Sequence, residues 1–94
     1  MSEVNLESRP ILARHVRLQM DAARETAVLL YPEGVLELNP TAHEIVQRCD
    51  GQTSVAGLIA ALAAEYEASP EELRDDVLDC VARLHARNFL VFAP

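Results

Sequence analysis

The chain has 94 residues, half of them apolar and four aromatic, which allows one modest aliphatic core and disfavours a deep enzymatic cleft with its own lid. Eight arginines and no lysine stand against 15 acidic residues, and the net charge of −7 disfavours binding to nucleic acid or to anionic lipid. The longest apolar run, residues 55–64, is too short to span a membrane, and residues 1–10 lack the layout of a secretory signal. We therefore expect a cytoplasmic protein.

The N-terminal segment predicts a tail followed by a strand. Residues 1–10 lack a periodic pattern, so we expect a flexible tail there and a single domain over residues 11–94. Apolar and polar residues alternate from Val16 to Asp21, which indicates a half-buried strand.

A hairpin follows this strand. The runs Thr26 to Tyr31 and Val35 to Leu38 are rich in β-branched and aliphatic residues. Between them, Tyr31-Pro32-Glu33-Gly34 has Pro at the second and Gly at the fourth position, which suits a type I turn. Three short strands in sequence predict a three-stranded antiparallel sheet.

Start and stop signals delimit three helices. Asn39-Pro40 combines an N-cap with Pro at the first helical position, and Asp50-Gly51 ends this first helix. Thr53 or Ser54 caps the second helix. Ser69-Pro70-Glu71-Glu72 is a capping box that begins the third helix, which should run to about Arg87.

Each predicted helix has an apolar stripe at three- and four-residue spacing. In chain order the stripes are Ala42, Ile45, Val46 and Cys49; Val55, Leu58, Ile59, Leu62 and Tyr66; and Leu73, Val77, Cys80, Val81 and Leu84. A short β-prone segment, Phe89 to Phe92, follows the third helix. Three strands, three helices and a C-terminal β segment are typical of an α+β, winged-helix-like domain.

No sequence pattern indicates catalysis. The three histidines are scattered without metal-ligand spacing, and the two cysteines fit small buried hydrophobic residues. The acidic residues between Glu71 and Asp79 crowd a helix start, where a solvated face explains them better than a general acid and base. We therefore expect no catalytic residue, no metal and no cofactor.

A winged-helix order raises the alternative of a DNA-binding regulator, with the third helix as the recognition helix. Arg74 is the one basic residue in the first half of that helix, beside five acidic residues that phosphates would repel: Glu71, Glu72, Asp75, Asp76 and Asp79. We therefore expect no nucleic-acid partner.

The predicted third strand, Val35 to Leu38, suggests peptide binding. It lies at an open sheet edge, where an extended peptide can add as a further strand. An edge kept short to avoid aggregation explains the same pattern. The residue pattern alone leaves both explanations open.

The most specific signal is a set of four segments at characteristic distances, over about residues 9–90. They are Arg17-Leu18-Gln19-Met20, Val28-Leu29-Leu30-Tyr31-Pro32-Glu33-Gly34, Leu38-Asn39 and Asp50-Gly51. Together they resemble the PqqD family of pyrroloquinoline quinone (PQQ) biosynthesis. That family has an aromatic residue where this chain has Met20, and often has basic residues near Glu37.

The resemblance implies a winged-helix recognition domain for a leader peptide. Such a protein binds the precursor peptide PqqA and presents it to the radical SAM enzyme PqqE, which joins a Glu and a Tyr side chain of that peptide. The peptide would lie along the third strand, antiparallel or parallel, and pack against the third helix. The peptide-binding residues that it implies are Val35, Leu36, Glu37 and Leu38 on the strand and Asp76, Val77, Cys80, Val81 and Leu84 on the helix, some of which must belong to the core.

The oligomeric state is not fixed by the sequence. A short hinge such as Asp50-Gly51-Gln52 permits the exchange of helices between protomers. We expect a monomer, or a weak or domain-swapped homodimer.

Overall fold

Two antiparallel sheets and three helices make up the structure, a computed structural model that describes residues 4–94. In chain order the elements are β1 (Arg9–Leu12), β2 (Arg17–Asp21), β3 (Thr26–Tyr31), β4 (Gly34–Glu37), α1 (Pro40–Val46), α2 (Val55–Tyr66), α3 (Pro70–Ala86) and β5 (Leu90–Ala93). The predicted α+β, winged-helix-like class is confirmed. Within the described residues, no helix has the length and apolar character needed to cross a membrane.

The three-stranded sheet has the order β2-β3-β4 and is built from local signals. A two-residue turn joins β3 to β4 and pairs Tyr31 with Gly34. The register places Leu29 of the central strand between Leu18 and Leu36. Leu29 is fully buried, so this face of the sheet covers the core. Because β3 is central, β2 and β4 are both edge strands.

Side-chain caps begin the three helices at predicted residues. Asn39 and Ser54 each accept a hydrogen bond from a first-turn amide, at 2.7 and 3.1 Å. Ser69 forms the predicted capping box, in which its side chain and that of Glu72 each accept a hydrogen bond from the backbone N–H of the other residue. The bond that Glu72 accepts lowers the pKa of its carboxyl below the ordinary value.

Two expectations about the helix stripes are wrong. The first helix ends at Val46, so Cys49 lies beyond it, although its side chain is still buried. Tighter hydrogen bonds, in which an amide bonds three residues back, replace the α pattern there. Tyr66 is 52% exposed because it is the last residue of α2 and the chain turns away at Glu67, which has a left-handed backbone conformation.

The core lies between the inner face of the three-stranded sheet and the three helices. Its most deeply buried side chains include Leu29, Ile45, Val55, Leu58, Val77, Val81 and Leu90. Burial of each such side chain stabilises the fold by about 1.5 to 3 kcal/mol before entropy is counted. No polar or charged residue is fully buried within residues 4–94.

β1 was not predicted, and it begins within the segment expected to be a flexible tail. This strand pairs antiparallel with β5, so that Pro10 lies opposite Phe92 in a second sheet. The backbone carbonyls of Ser8 and Leu6 accept hydrogen bonds from the first two amides of α2, both at 2.9 Å. These amides have no partner within their own helix, so the preceding segment satisfies them. Residues 1–3 of the predicted tail lie outside the described residues.

Gly51 lies in the loop between α1 and α2, against β1, and provides a test of the fold. Its φ is +79°, its amide donates to the Pro10 carbonyl at 2.9 Å, and an added Cβ would lie 3.2 Å from Cδ1 of Ile11. A G51A variant should therefore lose about 1 to 2 kcal/mol of unfolding free energy in urea titrations. The control is G34A, where φ is not positive and the added Cβ meets Tyr31 at an ordinary 3.6 Å. Equal stability of the two variants would contradict the assigned strain at Gly51.

Candidate functional site

The open edge of β4 presents backbone hydrogen-bonding groups to solvent. In an antiparallel pair, successive residues alternately bond to the partner strand and point away from it. The Leu38 amide donates to the Ala27 carbonyl at 2.9 Å, which fixes the alternation along β4. The N–H and C=O groups of Val35 and Glu37 therefore point away from β3, toward the open edge.

A groove of about 490 Å³ lies beside this edge, between β4, the start of α1 and α3, and is called here the β4–α3 groove. The segment from β4 into α1 lines it with Leu36, Glu37, Leu38, Asn39, Thr41 and Ala42. Helix α3 and its C-cap residue line the groove with Asp76, Asp79, Cys80, Arg83, Leu84 and Arg87. The groove thus combines unpaired strand backbone with a mixed apolar and charged helix face.

The charges of the β4–α3 groove are ordered along α3. Its α3 residues recur at three- and four-residue steps and so occupy one helix face. Asp76 and Asp79 lie toward the helix N-terminus, and Arg83 and Arg87 toward its C-terminus. Asp79 and Arg83 form a salt bridge at 3.0 Å on the exposed surface.

The structure brings six of the nine predicted peptide-binding residues into this groove: Leu36, Glu37, Leu38, Asp76, Cys80 and Leu84. Val35 contributes outward-pointing backbone groups, while its side chain is 48% exposed on the opposite face of the sheet from Leu36. Val77 and Val81 lie in the core with 1% and 0% exposure, so their side chains serve packing.

The sequence analysis missed the other half of the lining: Asn39, Thr41, Ala42, Asp79, Arg83 and Arg87. The three α3 residues carried a usable signal, because they lie three or four positions from Asp76, Cys80 or Leu84 on the same helix face. The contribution of α1 had no such signal. It depends on how the turn after β4 directs that helix, which is a tertiary feature.

The two cysteine thiols differ in access. Burial raises the pKa of Cys49 to about 12, with smaller contributions from Cys80 and Asp50. Burial also raises the pKa of Cys80, but this residue is only partly buried and lines the β4–α3 groove. Cys80 is therefore a natural reporter of what occupies the groove.

The charge of α3 is unsuited to a DNA recognition helix. All five acidic residues of α3 are exposed: Glu71, Glu72, Asp75, Asp76 and Asp79. The phosphates of a nucleic acid would repel these carboxylates, as expected from the sequence. Within residues 4–94, no three His, Cys, Asp or Glu side chains come together in a way that could hold a metal ion.

Comparisons with known proteins agree on one family. The sequence profile described as "Coenzyme PQQ synthesis protein D (PqqD)" matches residues 26–90. The chain is 42% identical over 90 residues to the "PqqA binding protein" of Xanthomonas campestris pv. campestris (strain 8004), covering 96% of this chain and 98% of that protein. It is 43% identical over 90 residues to the "PqqA binding protein" of Rhodopseudomonas palustris (strain TIE-1), covering 96% and 88%.

Two solved structures are similar to this fold. One is the solution NMR structure of the PqqD truncation of Methylobacterium extorquens PqqCD, described as a functional, stand-alone recognition element for ribosomally synthesized and post-translationally modified peptides. It has a TM-score of 0.76 and 33% identity, covering 87% of each chain. The crystal structure of PqqD from Xanthomonas campestris has a TM-score of 0.58 and 41% identity, covering 92% of this chain and 96% of that one.

The accessibility of Cys80 can be tested by alkylation. Iodoacetamide reacts with thiolates, so the native protein should take up one adduct, at Cys80, at a rate that rises with pH as the thiolate fraction grows. Because the Cys80 pKa is raised, this rise should lie at higher pH than for a free cysteine. Cys49 should react only after unfolding. Intact mass and peptide mapping measure both sites, and a C80S variant is the control. An adduct on Cys49 of the folded protein would contradict the assigned burial.

Proposed function

The chain belongs to the PqqD family, and we propose that it binds the precursor peptide PqqA in the β4–α3 groove and presents it to the radical SAM enzyme PqqE. The observation that supports this most directly is the open backbone of Val35 and Glu37 beside a partly apolar groove. The identification of the peptide as PqqA comes from the relatives described as PqqA binding proteins. In this proposal the protein acts in the cytoplasm, as a monomer when bound to its partners.

Strand addition supplies the affinity that is independent of peptide sequence. Val35 and Glu37 each offer one N–H and one C=O to an incoming strand. Each hydrogen bond contributes about 0.5 to 1.5 kcal/mol net, because the same groups are hydrated in the free protein. The peptide would also cover the unpaired edge of β4.

Side chains of the peptide supply specificity. In a strand added beside β4, every second side chain points toward the core side of the sheet, as Leu36 and Leu38 do. Those side chains would enter the β4–α3 groove against Ala42 and Leu84, which are also apolar. The proposed ligand is therefore an extended segment with apolar residues at alternate positions.

The proposed role is recognition and presentation, with the chemistry left to the partner enzyme. Peptide binding covers the groove side of β4 and α3 but leaves β2 and the second sheet free. These surfaces are available to the enzyme while the peptide is held. The "recognition element" description of the Methylobacterium extorquens protein supports a role of this kind.

A pair of proline variants tests strand addition. E37P removes an outward-pointing N–H from β4 without removing a bond to β3, because proline is tolerated at an edge strand whose N–H faces solvent. M20P does the same on the other edge strand, β2. We expect E37P to weaken PqqA binding at least about tenfold, through the lost bond and the ring's steric conflict with an added strand. M20P should bind like the unchanged protein.

Binding is measured by NMR titration of the labelled protein with synthetic PqqA, in which amide shifts should concentrate at residues 35–38 and along α3. The NMR spectra of the free variants verify that both fold. In a reconstituted reaction, E37P should also reduce formation of the Glu–Tyr cross-link by PqqE. Equal effects of the two variants, or shifts centred on β2, would refute strand addition at β4.

A further inference from the structure

We propose that the β4–α3 groove also selects its peptide by charge, with Arg83 and Arg87 holding an acidic side chain of the peptide at one end of the groove. This inference rests on the proposed function, because it concerns the peptide bound in that same groove. Arg83 and Arg87 would fix which part of the peptide lies at which end of the groove.

The first support is the length of the charged face. Asp76 and Arg87 are eleven positions apart along α3, or about 16 Å at the helical rise. An extended peptide covers this distance with about five residues. A short segment can therefore have one end near the carboxylates and the other near the guanidinium groups.

The second support is the availability of the two arginines. Arg83 pairs with Asp79, but their side chains are 78% and 60% exposed, so the pair is worth little and can be exchanged for another carboxylate. The Arg87 guanidinium lies over the Phe89 ring, 4.9 Å from its centroid, which orients the group without neutralising its charge. None of the salt bridges within residues 4–94 includes Arg87 or Asp76.

The third support is the contrast with two other arginines, Arg48 and Arg24. Arg48 is held by both Glu44 and Glu65, and its Nη1 lies 2.6 Å from Glu44. Arg24 lies between Asp21 and Glu37, at 3.6 and 3.8 Å. Arg83 and Arg87 are thus more available to a ligand carboxylate than Arg48 and Arg24 are.

The location of these arginines has a second explanation that the test must separate. Cations near a helix C-terminus are favoured by the helix dipole, whatever the ligand. In that case their loss would lower the stability of α3 but would not alter the affinity for any particular acidic residue of a peptide. The two explanations therefore differ in peptide binding.

The experiment compares four proteins: the unchanged chain, the double variant R83Q/R87Q, the charge-retaining R83K/R87K, and R14Q as a control at an exposed arginine outside the groove. Each is titrated with synthetic PqqA and with PqqA peptides in which one acidic residue at a time is changed to its amide. Spectra of the free variants verify folding.

We expect R83Q/R87Q to weaken binding about three- to tenfold at low ionic strength, with a smaller effect at 0.5 M salt because the charges are screened. R83K/R87K and R14Q should bind nearly as the unchanged chain does. Changing one acidic residue of the peptide to its amide should weaken binding to the unchanged chain but not to R83Q/R87Q. That residue is then identified as the partner of the arginines.

Two results would overturn the inference while leaving the proposed function intact. They are binding by R83Q/R87Q as tight as that of R14Q, and the absence of any acidic peptide residue whose effect depends on the arginines. Failure of PqqA to bind the unchanged chain at all would instead overturn the proposed function, and this inference with it.

Discussion

The burial of one stripe of α3 determines what the rest of the molecule can present. Val77 and Val81 lie in the core, and a helix advances about 100° per residue, so fixing this stripe fixes the rotation of the whole helix. The neighbouring face, with Asp76, Cys80 and Arg83, is thereby turned toward β4. One face of α3 packs in the core and stabilises the fold, and the neighbouring face lines the groove that we propose for peptide binding. The rotation of the helix therefore sets both.

The second half of the groove depends on a sheet that stops at three strands. The order β2-β3-β4 leaves β4 unpaired on one side, and an unpaired edge ordinarily favours aggregation. Here the edge is only four residues long, and Glu37 lies near its end. Short length and a charge limit self-association, while the outward groups of Val35 and Glu37 stay available to one extended partner.

Local chemistry made much of this structure predictable from the sequence. Asn39, Ser54 and Ser69 are caps whose effect acts within a few residues, and the hairpin turn at residues 31–34 is equally local. The pairing of β1 with β5 was missed because Pro10 and Phe92 are far apart in sequence and no local pattern links them. The apolar stripe of α1 was extended to Cys49 because that residue is buried at helical spacing, although tighter hydrogen bonds replace the α pattern after Val46. The groove was half predicted: the strand and the helix stripe could be inferred, and the spacing along α3 carried a signal for its charged residues. The contribution of α1 depends on how the elements are arranged in space.

The pairing of β1 with β5 has a consequence for how the protein can be joined to others. Residues opposite each other in an antiparallel ladder have Cα atoms about 5 Å apart, and Arg9 lies opposite Ala93. A second domain attached after β5 would therefore emerge beside the start of β1, and no groove-lining residue comes from either strand. We therefore expect the fold to accept a fusion after β5 while the groove keeps its lining.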